Sequence, residues 1–331
     1  MVITKTPYRI SFFGGGTDLP AWYRKHGGSV LSTTIDKYCY VSCRYLPPFF
    51  NHKHRIVYSK IELPNKINQI FHPVVRNCLK YAGVENGVEI YHQGDLPAWS
   101  GMGTSSSFTV GLLHALHALQ GEEIDKHNLA LRAIHVEQKL IKDMVGSQDQ
   151  TAAAFGGLNK IDFLPNDEIT VTPISLPPKR SELFKSHLSL FFTGITRKSS
   201  DIEKKKVKNF SSRRNELDKM FSMVEPAMKI LKRGDINDFG RMLHESWLLK
   251  KSLSEDVSNN QIDDAYIRAR KAGALGGKLL GAGGGGFMLI FSPIERRGAI
   301  EREMKKLKFL EIPFSFENNG SQVIFNGSNL I

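Results

Sequence analysis

No apolar run in this 331-residue chain reaches the ~20 residues needed to cross a bilayer. The opening MVITKTPYRISFFGGG also lacks the charged, then apolar, then small-residue order of a secretory signal. The expectation is a soluble, cytoplasmic chain without a membrane partner. Cysteine is scarce: Cys39, Cys43 and Cys78 form an odd set with no CxxC spacing. That argues against a disulfide framework or a zinc site and leaves small reduced thiols. Internal repeats and low-complexity tracts are absent, which sets aside solenoid, collagen-like and disordered classes. One further absence bears on chemistry. The pattern G-x-x-x-x-G-K-[ST] occurs nowhere, so a P-loop is excluded.

What is present has the balance of a globular protein, 41% hydrophobic and 24% charged, on a length that suits two domains. The formal net charge of +12 is compatible with nucleic acid, anionic lipid or acidic small substrates. The densest basic run is Lys204-Lys205-Lys206 with Lys208, Arg213 and Arg214, and Phe210 is its sole interleaved aromatic. It reads as a solvated helix face and not as a stacking platform, so no nucleic-acid partner is expected. Nothing in the sequence speaks to oligomeric state.

Residues 7–13, 29–46, 55–60 and 88–93 are β-branched and aromatic and predict strands, with a helix over 69–82 between the last two. Apolar residues at helical spacing predict helices over 104–120 and 126–144. Strands return at 158–163, 168–175 and 188–193, followed by helices over 198–225, 236–251 and 259–273. The tail reads as a glycine loop, a strand Phe287–Phe291 and a helix 295–308. Grouped strands and grouped helices predict an α+β fold. The softest stretch is 176–187, with two prolines and mixed charge, and divides the chain into domains 1–180 and 181–331.

The segment Asp95–Ser107 carries the sharpest local signal. Gly101 and Gly103 permit a tight path into a helix that opens on Thr104, Ser105, Ser106 and Ser107. Free N–H groups and the helix dipole favour an anion there, and a hydroxyl could ligate Mg²⁺. Gly281–Gly286 satisfies G-x-G-x-x-G, but a helix precedes it and a strand follows, the reverse of a dinucleotide fold. It is a glycine loop near a ligand or another backbone. Glu137 lies within the apolar stripe of Ala133, Ile134, Leu140, Ile141 and Met144, where a carboxylate needs a partner or a cation. Asp149 follows in Ser-Gln-Asp-Gln, beside small residues that let a ligand approach. An acid, a metal-competent carboxylate and a phosphate cradle are the parts that phosphoryl transfer needs.

Three segments resemble the GHMP kinase superfamily in the expected order: Thr6–Asp18, Pro97–Ser107 and Lys278–Phe287. The resemblance implies an N-terminal domain like ribosomal protein S5 domain 2 and a ferredoxin-like C-terminal domain. It implies ATP held by Pro97, Gly101, Met102 and Gly103 with Thr104, Ser105, Ser106 and Ser107. Asp149 matches the catalytic aspartate and Arg9 the basic residue that steers the acceptor hydroxyl. Ser105 and Glu137 match the Mg²⁺ ligands. Gly15, Gly16, Thr17 and Asp18 match the sugar segment, and Gly283, Gly284 and Gly285 the loop that closes over the site. Trp99 stands where the family has glycine, and Gly14-Gly15-Gly16 stands where galactokinases have Glu-His. SFFGGGTDLPAWY, SQDQTAAAFGGLN and FTGITRKSSDI resemble the D-glycero-D-manno-heptose 7-phosphate kinases within that superfamily. Their likeness implies ATP-dependent phosphorylation of a sugar phosphate at C1, on the route to nucleotide-activated heptose for surface polysaccharide. Arg197, Lys198, Lys250 and Lys251 are the cations available for the acceptor's phosphate, with Arg197 expected at the substrate. A fucose- or galactose-type 1-kinase and a non-catalytic nucleotide- or sugar-binding relative are the alternatives.

Overall fold

The computed structural model describes residues 1–197 and 199–327, without the side chains of residues 199–201. The first half runs β1 (Val2–Phe13), α1 (Pro20–His26), β2 (Gly28–Tyr45), β3 (Arg55–Val57), β4 (Ile61–Glu62), α2 (Pro73–Tyr81) and β5 (Val88–Gly94). Then come α3 (Thr104–Leu119), α4 (Lys126–His135), a π-turn over Val136–Ile141, α5 (Gln148–Phe155), β6 (Asn159–Phe163) and β7 (Ile169–Pro173). The predicted helix over 126–144 stops early because Lys142 takes a left-handed φ of 63°, which no helix continues through.

The second half begins with α6 (Pro178–Ser186), β8 (Leu188–Phe192), α7 (Ser199–Lys208), α8 (Arg214–Ser222) and α9 (Val224–Arg233). It continues with α10 (Ile236–Ser252), α11 (Asn260–Lys271), β9 (Gly276–Leu279), β10 (Phe287–Phe291) and α12 (Arg297–Lys306). Short strands β11 (Leu310–Glu311), β12 (Phe316–Glu317) and β13 (Gln322–Asn326) close it. Most of the soft stretch at 176–187, read as the domain boundary, is the helix α6. Proline at its N1 position is compatible with a first turn, and Phe184 anchors it in the core. The single helix predicted over 198–225 is three helices, α7, α8 and the start of α9.

Two sheets carry the fold, confirming α+β. The larger runs β13-β1-β2-β5-β3-β4, with β6, β7 and β12 attached through β2. The smaller is antiparallel in the order β11-β8-β10-β9. The last strands cross back over the division at 180/181. β13 pairs with β1, Val2 opposite Asn326, and β12 pairs with β2, Phe316 opposite Ile35. β1 would otherwise present an open edge, and the returning tail covers it.

β1 and β2 pair antiparallel with Arg9 opposite Thr34, and α3 lies across them. Thr4 Oγ1 donates to Gly111 O at 2.9 Å, and a Cβ on Gly111 would sit 2.8 Å from Thr6 Oγ1, so glycine lets this helix approach the sheet. Phe12 and Phe13 pack against Phe184 and Phe239 with ring centroids 5.0–5.5 Å apart, which joins both halves in one apolar core. Cys39, Cys43 and Cys78 are free and buried, and burial raises their thiol pKa values, which suits inert core residues. Among the described residues no helix is long and apolar enough to cross a membrane.

Candidate active site

One cleft collects side chains from both sheets: the end of β1 and the following loop, the loop into α3, the start of α5, α7, α10, β9 and the glycine loop after β9. Its centre is an ion pair. Arg9 Nε donates to Asp149 Oδ1 and Nη2 to Oδ2, both at 2.7 Å, while Nη1 donates to Gly101 O at 2.7 Å. This bidentate fork fixes the carboxylate in direction as well as distance. Arg9 is only 3% exposed, and the Asp149 side chain keeps 24% exposure towards the cleft.

α3 supplies the cradle. Gly103 caps it in a left-handed conformation, φ 73°, and a Cβ there would lie 3.3 Å from Asp149 Oδ2. The first amide bonded inside the helix is Ser107 N, to Gly103 O at 2.9 Å, so the N–H groups of Thr104, Ser105 and Ser106 stand ahead of it. Those three residues and Gly101 line the cleft. Gly101 abuts the other glycine loop: a Cβ on Gly281 would fall 2.4 Å from Gly101 Cα, so the two loops meet backbone to backbone. Trp99 also lines the cleft and takes φ 56°, keeping the glycine-like conformation without the glycine.

Three members of the predicted cradle lie elsewhere. Pro97 is exposed outside the lining, Met102 is fully buried in the core, and Ser107 Oγ donates to Pro7 O at 2.9 Å.

Glu137 is only 3% exposed, behind the first turn of α3. It accepts hydrogen bonds from Ser106 Oγ at 2.9 Å, Thr109 Oγ1 at 2.6 Å and Gln150 Nε2. Burial raises its pKa to about 7, the nearby charge of Asp149 adds to that, and its three hydrogen bonds oppose it. Ser105, expected with Glu137 as a Mg²⁺ ligand, is exposed on the cleft wall, and Ser106 beside it makes the hydrogen bond to Glu137. No group of three or more His, Cys, Asp or Glu is assembled to hold a metal among the described residues. One carboxylate beside a serine hydroxyl at a phosphate cradle still fits Mg²⁺, which takes few protein oxygens and completes its shell with water and substrate phosphates.

In the predicted sugar segment, Gly15, Gly16 and Asp18 line the cleft. Asp18 Oδ1 accepts from Gly16 N at 2.8 Å, and a Cβ on Gly146 would collide with Asp18 Oδ2 at 1.8 Å. Burial raises Asp18 to about 6, with Asp149 and Glu203 adding and the Gly16 N–H opposing. Thr17 is structural, its Oγ1 donating to Gly14 O and Ser29 O at 2.8 and 3.0 Å. Gly283 and Gly285 line the cleft, while Gly284 packs beside Ile202 and Asp256 O.

Arg197 and Lys250 reach the cleft. Lys251 is turned to Asp263 at 2.6 Å, and Lys198 lies outside the described residues. Sequence reasoning passed over Ser11, Gln148, Glu203, Lys206 and Lys278, all of which line the cleft. The charged ones sit in segments that read as an ordinary polar helix and an apolar strand, and burial is what sets them apart.

The chain matches the family described as GHMP kinases N terminal domain over residues 66–157. It matches GHMP kinases C terminal over residues 227–308. It is 30% identical to the D-glycero-alpha-D-manno-heptose 7-phosphate kinase of Campylobacter jejuni subsp. jejuni serotype O:2, covering 96% of this chain and 97% of that protein. Identity to the galactokinase of Pyrococcus furiosus is 26%, over 86% and 87% of the two chains. Among solved structures, a D-glycero-D-manno-heptose 1-phosphate kinase from Bacteroides thetaiotaomicron matches with a TM-score of 0.80 and 25% identity, covering 98% of this chain and 99% of that one.

Proposed function

Because this chain belongs to the GHMP kinase family, we propose that it transfers the γ-phosphoryl of ATP to the anomeric C1 hydroxyl of D-glycero-D-manno-heptose 7-phosphate, giving the 1,7-bisphosphate. Two of the relatives it matches across most of their length are named as sugar kinases. The observation that carries the mechanism is the Arg9–Asp149 fork set against the first turn of α3.

In this reading the N–H groups and hydroxyls of Thr104, Ser105 and Ser106 hold the nucleotide's phosphates. Asp149 orients the acceptor hydroxyl and takes its proton as the C1 oxygen bonds to the γ-phosphorus and the bond to the ADP oxygen breaks. Arg9 keeps the carboxylate aimed and offsets charge that develops on the acceptor oxygen. Glu137 and Ser106 are the residues that would hold Mg²⁺, with Ser105 next to them on the same turn. When bound, the ion neutralises charge on the transferring phosphoryl group. Gly15, Gly16 and Asp18 face the sugar, and the Gly283 and Gly285 backbone closes over it.

The 30% identity across nearly the whole of a heptose 7-phosphate kinase supports this acceptor above its rivals. The test is a panel with coupled ADP detection. Heptose 7-phosphate is expected to be turned over with a kcat/KM well above those of fucose, galactose and mannose. A preference for any of the free sugars would reject the acceptor assignment while leaving a sugar kinase in place.

A further inference from the structure

Among the described residues five cationic side chains line the cleft, Arg9, Arg197, Lys206, Lys250 and Lys278, against three carboxylates, Asp18, Asp149 and Glu203. Two of those carboxylates are committed: Asp149 to Arg9, and Glu203 Oε1 to Lys206 Nζ at 2.7 Å. Asp18 is turned to the backbone of Gly16. Lys250 and Lys278 are only 5% and 2% exposed, and the hydrogen bonds they make go to main-chain carbonyls. Lys250 Nζ donates to Leu279 O at 2.7 Å and Gly281 O at 2.5 Å, and Lys278 Nζ donates to Phe12 O at 2.8 Å. An ammonium out of water without a carboxylate is costly, and two side by side are more so.

We propose that Lys250 and Lys278 form the subsite for a phosphate dianion carried by the acceptor itself. This rests on the reading of the chain as a sugar kinase and adds the feature by which it selects a phosphorylated sugar. The cradle at the start of α3 already serves the nucleotide's phosphates. The lysine pair attaches elsewhere, at Phe12 O just before the Gly14–Asp18 segment and at Gly281 O where the second glycine loop begins. One attachment thus borders the segment assigned to the sugar, and the other begins the loop that closes over the site. Burial draws Lys278 down to about 7, with Arg9 and Lys206 adding and Asp18 opposing. Lys250 is likewise drawn down by burial, then by Lys278 and Lys206, with Glu203 opposing. A bound dianion relieves all of these costs together. The pair also separates Lys250 from its sequence neighbour Lys251, which periodicity alone cannot do.

The experiment compares kcat/KM for D-glycero-D-manno-heptose 7-phosphate and for unphosphorylated heptose, in the wild type and in Lys250→Met. The ratio favouring the phosphorylated sugar is expected to fall by about 10- to 100-fold, the worth of a charge-assisted hydrogen bond to a buried group. An unchanged ratio overturns the proposal. So does a raised KM for ATP with the ratio intact, which would assign the lysine to the nucleotide. A wild type that phosphorylates only free sugars overturns the subsite and leaves the kinase reading standing, whereas a wild type that phosphorylates no sugar at all defeats that reading. If Lys250→Met does not fold, judged by loss of ADP binding, inorganic phosphate serves as the probe on the wild type. Inhibition competitive with the acceptor is expected, and inhibition competitive with ATP alone, or none, overturns the proposal.

Discussion

Replacing Asp149 by asparagine isolates the proposed proton acceptor with little change of shape. Arg9 presents two donors, Nε–H and Nη2–H, to two carboxylate oxygens, both at 2.7 Å. The asparagine keeps one acceptor but sets an amide NH₂ against the other donor, so one of two bonds is lost along with the charge. Arg9 keeps its bond to Gly101 O, and the Asp149 side retains 24% exposure, so the cost stays below that of a fully buried pair, at about 1–2 kcal/mol of stability. The kinetic cost is larger. Removing a general base lowers turnover by about 10²- to 10⁴-fold, or about 3–5 kcal/mol of barrier at 1.36 kcal/mol per decade. ATP affinity should be unchanged or tighter, since a negative charge has left the neighbourhood of the triphosphate. The assay pairs steady-state ADP release with equilibrium titration of ATP. A variant with turnover within about tenfold of wild type refutes the role, because that exceeds what a positioning effect leaves behind.

Glu137→Gln is expected to shift the Mg²⁺ titration to higher concentration, and an unaltered curve rejects the ligand assignment. The same variant has a stability signature in metal-free protein. Burial holds Glu137 at about 7 against an ordinary 4.5, so the folded state binds this proton more tightly than the unfolded chain does. Its contribution is complete below 4.5 and is lost as pH rises through 7, about 3 kcal/mol at most. Urea unfolding at several pH values should show that decline in the wild type and not in the glutamine variant. Trp99→Gly should keep or raise the melting temperature: the residue has φ 56°, where a side chain costs about 1–2 kcal/mol and glycine nothing. A marked drop would show that the indole's contacts outweigh the backbone strain.

Much of the site was legible because its parts are short and local. Gly101 and Gly103 before Thr104–Ser107 announced a turn into a helix start, and Glu137 betrayed itself by falling on an apolar stripe. Arg9 and Asp149, 140 positions apart, could be joined only through resemblance, and the structure brings them to 2.7 Å. Local grammar failed where tertiary context decides. Ser105 and Ser106 are adjacent hydroxyls, and which one turns to Glu137 depends on where the Val136–Ile141 π-turn presents that carboxylate. The prolines near residue 177 signalled a break, yet a proline also begins a helix, and Phe184 decided between the two by burying itself. Strands β12 and β13 are too short to announce themselves, and their return to the first sheet is a long-range pairing that composition does not encode. Lys278 looked like one more lysine until its burial was known.

The most direct test of the account follows the phosphorus itself. Incubation with ATP, Mg²⁺ and D-glycero-D-manno-heptose 7-phosphate, read by ³¹P NMR, should convert the γ-phosphate signal into a new sugar phosphate coupled to the anomeric proton, with the original 7-phosphate retained. An ATP spectrum that stays unchanged with heptose 7-phosphate, fucose, galactose and mannose alike would contradict it.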